Sequence, residues 1–177
     1  MGRRTRLHVN VSTPDGGIPA SRGLAGWLEG IAPARARGDV TVAIVSDGRM
    51  RVLNRTFRGK DYATDVLSFA VGSPEPGVGS RNAVPRSLGD IVIAAGIAAR
   101  QAREHGHATG VEFKVLALHG LLHLIGYDHE DPVDQGRMAR AEGRLRARAG
   151  LPTGLIARAR RRTVDSRLPT ADSRRRS

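Results

Sequence analysis

The sequence contains no cysteine, few aromatic residues and no long apolar run. The lack of cysteine excludes disulfide scaffolds, thiolate metal sites, iron–sulfur clusters and cysteine nucleophiles. Aromatic residues make up only 3% of the 177 residues, which argues against base-stacking modules of the common RNA-binding types. No apolar run approaches the ~18–20 residues of a membrane span, and the basic N-terminus leads into an alternating strand pattern instead of a signal region. We therefore predict a cytoplasmic protein without membrane contact.

Acidic residues are also few: the sequence has 17 Asp and Glu and 29 Lys and Arg, which gives a formal net charge of +12. The excess is densest at the C-terminus, where residues 153–177 contain eight Arg and two Asp. A basic surface suits a polyanionic partner, since phosphate contacts release counterions. Nucleic acid is the anion that we predict, and a merely solvated surface is the alternative. Composition thus divides the chain into one domain, residues 1–152, and an Arg-rich tail, residues 153–177, that we expect to be disordered.

Hydrophobic periodicity predicts four strands and five helices. The predicted strands are residues 7–11, 39–45, 66–71 and 88–93, and the predicted helices are residues 21–31, 47–57, 94–104, 109–124 and 132–149. Ser21 and either Ser46 or Asp47 are expected N-caps, and Thr109 to Glu112 has the form of a capping box. Strands mixed with helices, followed by a helical half, predict an α+β fold with one small sheet of about four strands covered by helices.

Three histidines have the spacing of metal ligands: His119, His123 and His129, in the segment HGLLHLIGYDH. Side chains four residues apart on a helix are neighbours, so His119 and His123 can point at one position. Gly126 ends that helix, and the following turn can return His129 to the same position. Three neutral imidazoles suit Zn²⁺ and leave a fourth position open for a water that the metal activates. The pattern therefore predicts one catalytic zinc ion per chain.

Other uses of histidine, and another zinc enzyme, must be weighed against this prediction. His105 and His107 lie near the end of a predicted helix and are expected to cap it or to lie in solvent. The H-x3-H-x5-H spacing also occurs in metzincin peptidases, which need a Glu directly after the first histidine as general base. Gly120 occupies that position here. A zinc peptidase is therefore the weaker alternative.

The segment His119–His129 also resembles the signature of the YbeY family of endoribonucleases. Two further stretches are similar to that family's blocks: LNRTFRGKDYATDVLSF, from Leu53 to Phe69, and LGDIVI, from Leu88 to Ile93. The resemblance covers roughly residues 7–150 in the family's order. Ala70 stands where the family usually has Pro, and the Arg-rich tail is not part of the pattern.

The resemblance implies a small mixed β-sheet flanked by helices, with a zincin-like metal helix, and a zinc ion held by His119, His123 and His129. It implies cleavage of single-stranded RNA, with 16S rRNA and ribosomal particles as partners, in 3′-end maturation and ribosome quality control. It also assigns the family's functional arginine to Arg58. A guanidinium there can grip a phosphate and stabilise its growing charge, and Lys60 can add a second positive charge.

The residues around these groups have less specific expected roles. Thr64 and Asp65 are expected to cap or brace the Arg58 loop, and Asp90 either orients a ligand histidine or closes a turn. The attacking nucleophile is either water or the RNA's own 2′-hydroxyl. A non-catalytic alternative also stays open, namely a ribosome-assembly factor whose zinc is structural and whose basic surface binds rRNA.

Overall fold

The computed structural model describes residues 6–14, 17–71, 87–128, 132–134 and 136–152. Its elements are, in chain order, β1 (Leu7–Ser12), α1 (Leu24–Ile31), β2 (Gly38–Val45), α2 (Asp47–Arg58), β3 (Val66–Ala70), β4 (Ser87–Ala94), α3 (Ala95–Glu104), α4 (Thr109–Leu124) and α5 (Arg137–Arg148). Short 3₁₀ turns span Pro19–Ser21 and Pro132–Asp134. None of the described helices combines the length and apolar character needed to cross a bilayer. His129 and the tail from residue 153 onward lie outside the described residues.

The four strands form one mixed sheet in the order β1-β2-β4-β3. β1 pairs with β2 and β2 with β4 in parallel, whereas β3 pairs with β4 in antiparallel orientation. This is the α+β fold with a small mixed sheet that the sequence predicted. Among the described strands, β3 lies at one edge of the sheet, and it follows the loop after Arg58.

Alternation along the strands builds an apolar layer on each face of the sheet. On one face, buried side chains of β2 and β4 pack against α1 and α4; they include Val42, Ile44, Ile91 and Ile93. On the other face, Leu67, Val92 and Ala94 pack against Met50 of α2. Helices α2 and α4 therefore cover opposite faces of the sheet. Both also pack against β3, the strand at the sheet edge.

Helix α4 is the central helix of the domain, with 11 of its 16 residues buried. It packs against β3 and β4 and also contacts α1, α3 and α5, as expected of a helix that is apolar on nearly all sides. Gly120 sets the distance between α4 and the sheet. A Cβ at residue 120 would lie 2.7 Å from Ile91 Cγ2 and 3.0 Å from Ser68 Oγ.

We expect the Gly120→Ala variant to be less stable by about 1–3 kcal/mol, because the added methyl overpacks the contact with Ile91. Gly143 of α5 is the matched control, since a Cβ there would meet nothing within 4 Å. Gly143→Ala should be neutral or stabilising by up to about 1 kcal/mol, because alanine favours the helix. Urea unfolding of both variants measures the difference. Equal stability of the two would show that Gly120 does not limit the approach of α4.

The start of helix α2 is as predicted, whereas that of α1 is not. Ser46 is the N-cap of α2, and its side chain accepts a hydrogen bond from the Arg49 backbone N–H at 3.2 Å. Ser21 instead ends a 3₁₀ turn, donating its hydroxyl to the Ile18 carbonyl at 2.7 Å. Gly23, with a φ of 74°, then precedes α1. The Ser21 cap was wrong because the turn before α1 already uses that hydroxyl.

The starts of α4 and α5 also differ from the predictions. The capping box at Thr109 is wrong: Ala108 is the N-cap of α4 without a side-chain hydrogen bond, and the Glu112 carboxylate contacts His107 instead. The predicted helix from residue 132 is interrupted, because Pro132–Asp134 is a 3₁₀ turn and α5 begins at Arg137 after Gly136 in the left-handed conformation. Both differences come from tertiary contacts and backbone geometry that local pattern does not report.

Candidate active site

Two of the three predicted metal ligands lie side by side on α4. The Nε2 atoms of His119 and His123 are 3.2 Å apart, and the ring centroids are 4.8 Å apart with planes at 71°. The four-residue spacing causes this approach, since it places both rings on one side of the helix. A cation bound at ~2.0–2.1 Å from each nitrogen would bridge atoms at this separation. The two side chains thus fit a shared metal ion.

Glu142 of α5 orients the first of these histidines. Its Oε1 lies 3.1 Å from His119 Nδ1, and the two side chains are only 2% and 7% exposed. A carboxylate can only accept, so Nδ1 carries the hydrogen and donates it, and in the neutral imidazole Nε2 is then the acceptor on the side of His123. A carboxylate that fixes the tautomer and ring orientation in this way typically accompanies metal-ligating histidine. Glu142 was not predicted from the sequence, since no pattern links it to a histidine 23 residues earlier.

The other two residues predicted for the metal site, His129 and Asp90, have different outcomes. His129 lies outside the described residues, so its role as third ligand stays a prediction. Asp90, the expected partner of a ligand histidine or of a turn, is an exposed residue within β4, in register with Phe69 of β3. The orienting role that was expected of Asp90 is filled by Glu142.

A second group of side chains that could hold a metal ion lies where α3 ends and α4 begins. One ligand atom from each of His105, His107 and Glu112 lies within 4.8 Å of the others. Glu112 is fully buried, and its Oε2 lies 3.0 Å from His107 Nε2. His105 caps α3 as predicted, with Nδ1 2.7 Å from the Gln101 carbonyl. The contact of His107 with Glu112 was missed, because it depends on the corner between the two helices.

Arg58 is the last residue of α2 and not a loop residue as expected, and the loop that follows it, which carries Lys60, is braced against α2 by a cluster of charges. Gly59, with a φ of 67°, ends α2 directly after Arg58. Asp61 accepts two hydrogen bonds from the Arg51 guanidinium, at 2.9 and 2.8 Å, and lies 3.8 Å from Arg55. The hydrogen bond from Arg51 holds the pKa of Asp61 below its ordinary value, so this carboxylate stays charged at neutral pH. Asp61 is therefore already occupied by neighbouring arginines of α2.

The far end of the same loop is fixed by amide and carboxylate contacts. The buried Asn54 donates its Nδ2 to the Tyr62 carbonyl at 2.8 Å. Asp65 accepts from the Val66 N–H at 2.9 Å and from Gln101 Nε2 at 3.0 Å, and Thr64 Oγ1 lies 3.3 Å from the same carboxylate. Thr64 and Asp65 thus brace the loop, as the sequence predicted.

Arg58 and Lys60 differ from the residues that brace the loop. Both are exposed, and within the part of the chain that the structure describes neither side chain forms an ion pair or hydrogen bond. Among the described residues, no hydrogen bond or ion pair joins Arg58 to His119 or His123. The loop does continue into β3, where Ser68 Oγ donates to the Gly120 carbonyl of α4 at 3.4 Å. The side chains of Arg58 and Lys60 are therefore available to bind an external anion. They lie near β3, the edge strand that contacts α4.

The sequence matches a known family over most of its length. The model of the family described as Endoribonuclease YbeY matches residues 26–150. A protein named Endoribonuclease YbeY from Solibacter usitatus is 54% identical over 115 residues, 65% of this chain and 69% of that protein. The protein of the same name from Anaeromyxobacter dehalogenans is 42% identical over 156 residues, 88% of this chain and 77% of its own.

A solved structure has the same fold. The solution structure of a Thermotoga maritima protein matches with a TM-score of 0.55 over 95% of this chain and 99% of that one, at 24% sequence identity. At that identity the match concerns the fold alone. The fold is thus known from an independent structure, whereas the assignment to a family rests on the sequence matches. The chain belongs to the YbeY family of endoribonucleases.

Proposed function

We propose that this protein is a zinc-dependent endoribonuclease that cleaves single-stranded rRNA in the cytoplasm. Membership of the family makes it an RNA-cleaving hydrolase. The observation that carries the metal dependence is the 3.2 Å approach of His119 Nε2 to His123 Nε2, with Glu142 behind His119. Maturation of the 16S rRNA 3′ end, on ribosomal particles and as part of ribosome quality control, is the role that we propose for this cleavage.

We assign the zinc ion to His119, His123 and His129. When bound, zinc would polarise a phosphoryl oxygen and activate the nucleophile. Glu142 holds the His119 ring with Nδ1 as donor, so that its other nitrogen is presented as a ligand. The second group, His105 with His107 and Glu112, contains two imidazoles and one carboxylate and is the competing candidate for the metal.

Arg58 and Lys60 are the proposed phosphate-binding residues. An arginine offers two parallel N–H donors to a phosphate and stabilises the negative charge that increases in the transition state. Lys60 contributes a single point charge. Because Asp61 is hydrogen-bonded to Arg51, it does not neutralise the positive charge of Arg58. The attacking group is water or the 2′-hydroxyl, and a 2′,3′-cyclic phosphate on the product would identify the second.

Packing at residue 120 speaks against the peptidase alternative. A metzincin needs a Glu side chain directly after the first histidine. At Gly120 even a Cβ would lie within 3 Å of Ile91, so α4 has no room for a longer side chain. A base for peptide hydrolysis would have to come from elsewhere.

Metal content and cleavage, measured on the same preparation, test the proposed function. We expect one zinc ion per chain and cleavage of a single-stranded rRNA fragment, with little cleavage of the same sequence annealed to its complement. A chelator should stop the cleavage, and added zinc should restore it. Cleavage that persists after complete removal of metal would contradict the proposal. A metal-loaded, folded protein that binds rRNA but never cleaves it would favour the non-catalytic assembly factor.

A further inference from the structure

Three of the six aromatic residues of this chain surround the loop of Arg58 and Lys60: Phe57, Tyr62 and Phe69. Phe57 is 62% exposed and Tyr62 is 55% exposed. The Phe57 ring contacts Phe69 of β3 edge-on, with ring centroids 5.1 Å apart and an interplanar angle of 66°. One edge contact leaves most of the Phe57 surface open to solvent. Among the described residues, Phe57 and Tyr62 are the two exposed aromatic side chains, and they lie within six residues of each other.

The scaffold beneath these rings is fixed. Phe57 lies in the last turn of α2, and Asn54, one turn earlier, holds the Tyr62 backbone carbonyl at 2.8 Å. The Arg51–Asp61 contacts tie the intervening loop to the same helix. The backbone that carries the two rings is therefore ordered before any ligand binds. Binding to such a surface costs little conformational entropy.

The charges around the rings match a chain of phosphates. Arg58 follows Phe57 directly, and Lys60 lies between Phe57 and Tyr62. Single-stranded nucleic acid is bound by such combinations, in which cations contact the backbone and aromatic rings stack on the bases. Every unpaired base has an accessible flat face, whereas the bases inside a duplex are already stacked on each other.

We propose that Phe57 and Tyr62 form a stacking surface for unpaired RNA bases, beside the phosphate contacts of Arg58 and Lys60. This inference rests on the proposed function, because it takes RNA as the substrate, and it adds the origin of the preference for single strands.

Binding of two RNA strands to three variants tests this inference. One strand is a single-stranded oligonucleotide, and the other has the same backbone with abasic sites replacing a block of bases. Phe57→Ala should weaken binding of the first strand by roughly tenfold, the loss of about one stacking contact, and leave the abasic strand nearly unchanged. Phe57→Trp should keep the affinity. Val52→Ala, an exposed apolar residue of the same helix at 41% exposure, is the matched control and should bind both strands normally.

The titrations contain the chelator that stops cleavage, and melting curves under the same conditions verify that each variant is folded. Equal loss of affinity for both strands, or no loss for either, would overturn the stacking surface. Cleavage by the unmodified chain is measured separately with zinc. Absence of cleavage would count against the proposed function. The stacking surface is tested independently, by whether Phe57→Ala loses affinity only for the strand that carries bases.

Discussion

The His119→Ala variant is expected to lose its zinc and to cleave RNA at least about a thousandfold more slowly than the unmodified chain, because a metal site contributes several kcal/mol to transition-state stabilisation. The variant removes the nitrogen that lies 3.2 Å from His123 Nε2 and leaves the Glu142 carboxylate buried without its partner. Metal content by elemental analysis and single-turnover cleavage of a single-stranded fragment measure the two losses.

Glu142→Gln separates the orientation of the ligand from the ligand itself. We expect the metal affinity to fall about 10–100-fold, the usual effect of losing a partner behind a ligating histidine. Excess zinc should then restore most of the cleavage, which it cannot do for His119→Ala. An unchanged zinc affinity would show that the 3.1 Å contact with His119 is only a packing contact.

His105→Ala is the control for the competing metal group. His105 is exposed, and its ring belongs to the His105, His107 and Glu112 cluster. If the assignment to α4 is correct, this variant keeps both its zinc and its cleavage rate. Loss of zinc from His105→Ala, together with zinc retained by His119→Ala, would move the metal to the corner between α3 and α4.

The parts of the site that the sequence predicted are those that depend on local spacing. His119 and His123 lie four residues apart within one helix, so helical geometry alone brings their rings together. Strands β1 to β4 were located within one residue at each end; burial alternates along β1 and β2, whereas the last four residues of β4 are all buried. Both signals are local, because they depend on residues close together in the sequence.

Glu142 and Glu112 were not predicted, and the reason is tertiary. Glu142 reaches His119 only because α5 docks on α4, and Glu112 turns away from a capping role because His107 lies beside it at the corner between α3 and α4. The clustering of aromatic residues was not predicted either, because it depends on their positions and not on composition. A low overall count of aromatic residues does not exclude that half of them gather at one loop.

Arg58→Ala is expected to reduce cleavage by about 10²–10³-fold, the typical effect of removing a donor that stabilises transition-state charge. Zinc content and melting temperature should not change, because Arg58 is exposed and its side chain has no partner among the described residues. Arg49→Ala is the matched control. It removes the same charge from the opposite end of α2 at an exposed position, and we expect less than a twofold effect on cleavage, as for a general surface charge.

Arg58→Lys distinguishes a specific phosphate clamp from simple charge attraction. Lysine keeps the positive charge but cannot offer two parallel donors to one phosphate. If Arg58 acts in the transition state, the lysine variant should bind RNA almost normally and still show most of the loss in the single-turnover rate. If Arg58 only attracts RNA, lysine should restore both quantities, and the rate loss of Arg58→Ala should disappear at saturating RNA. Because Asp61 is engaged by Arg51, the charge at residue 58 is not neutralised by its own loop, and the split between binding and rate therefore reports on the phosphate contact itself.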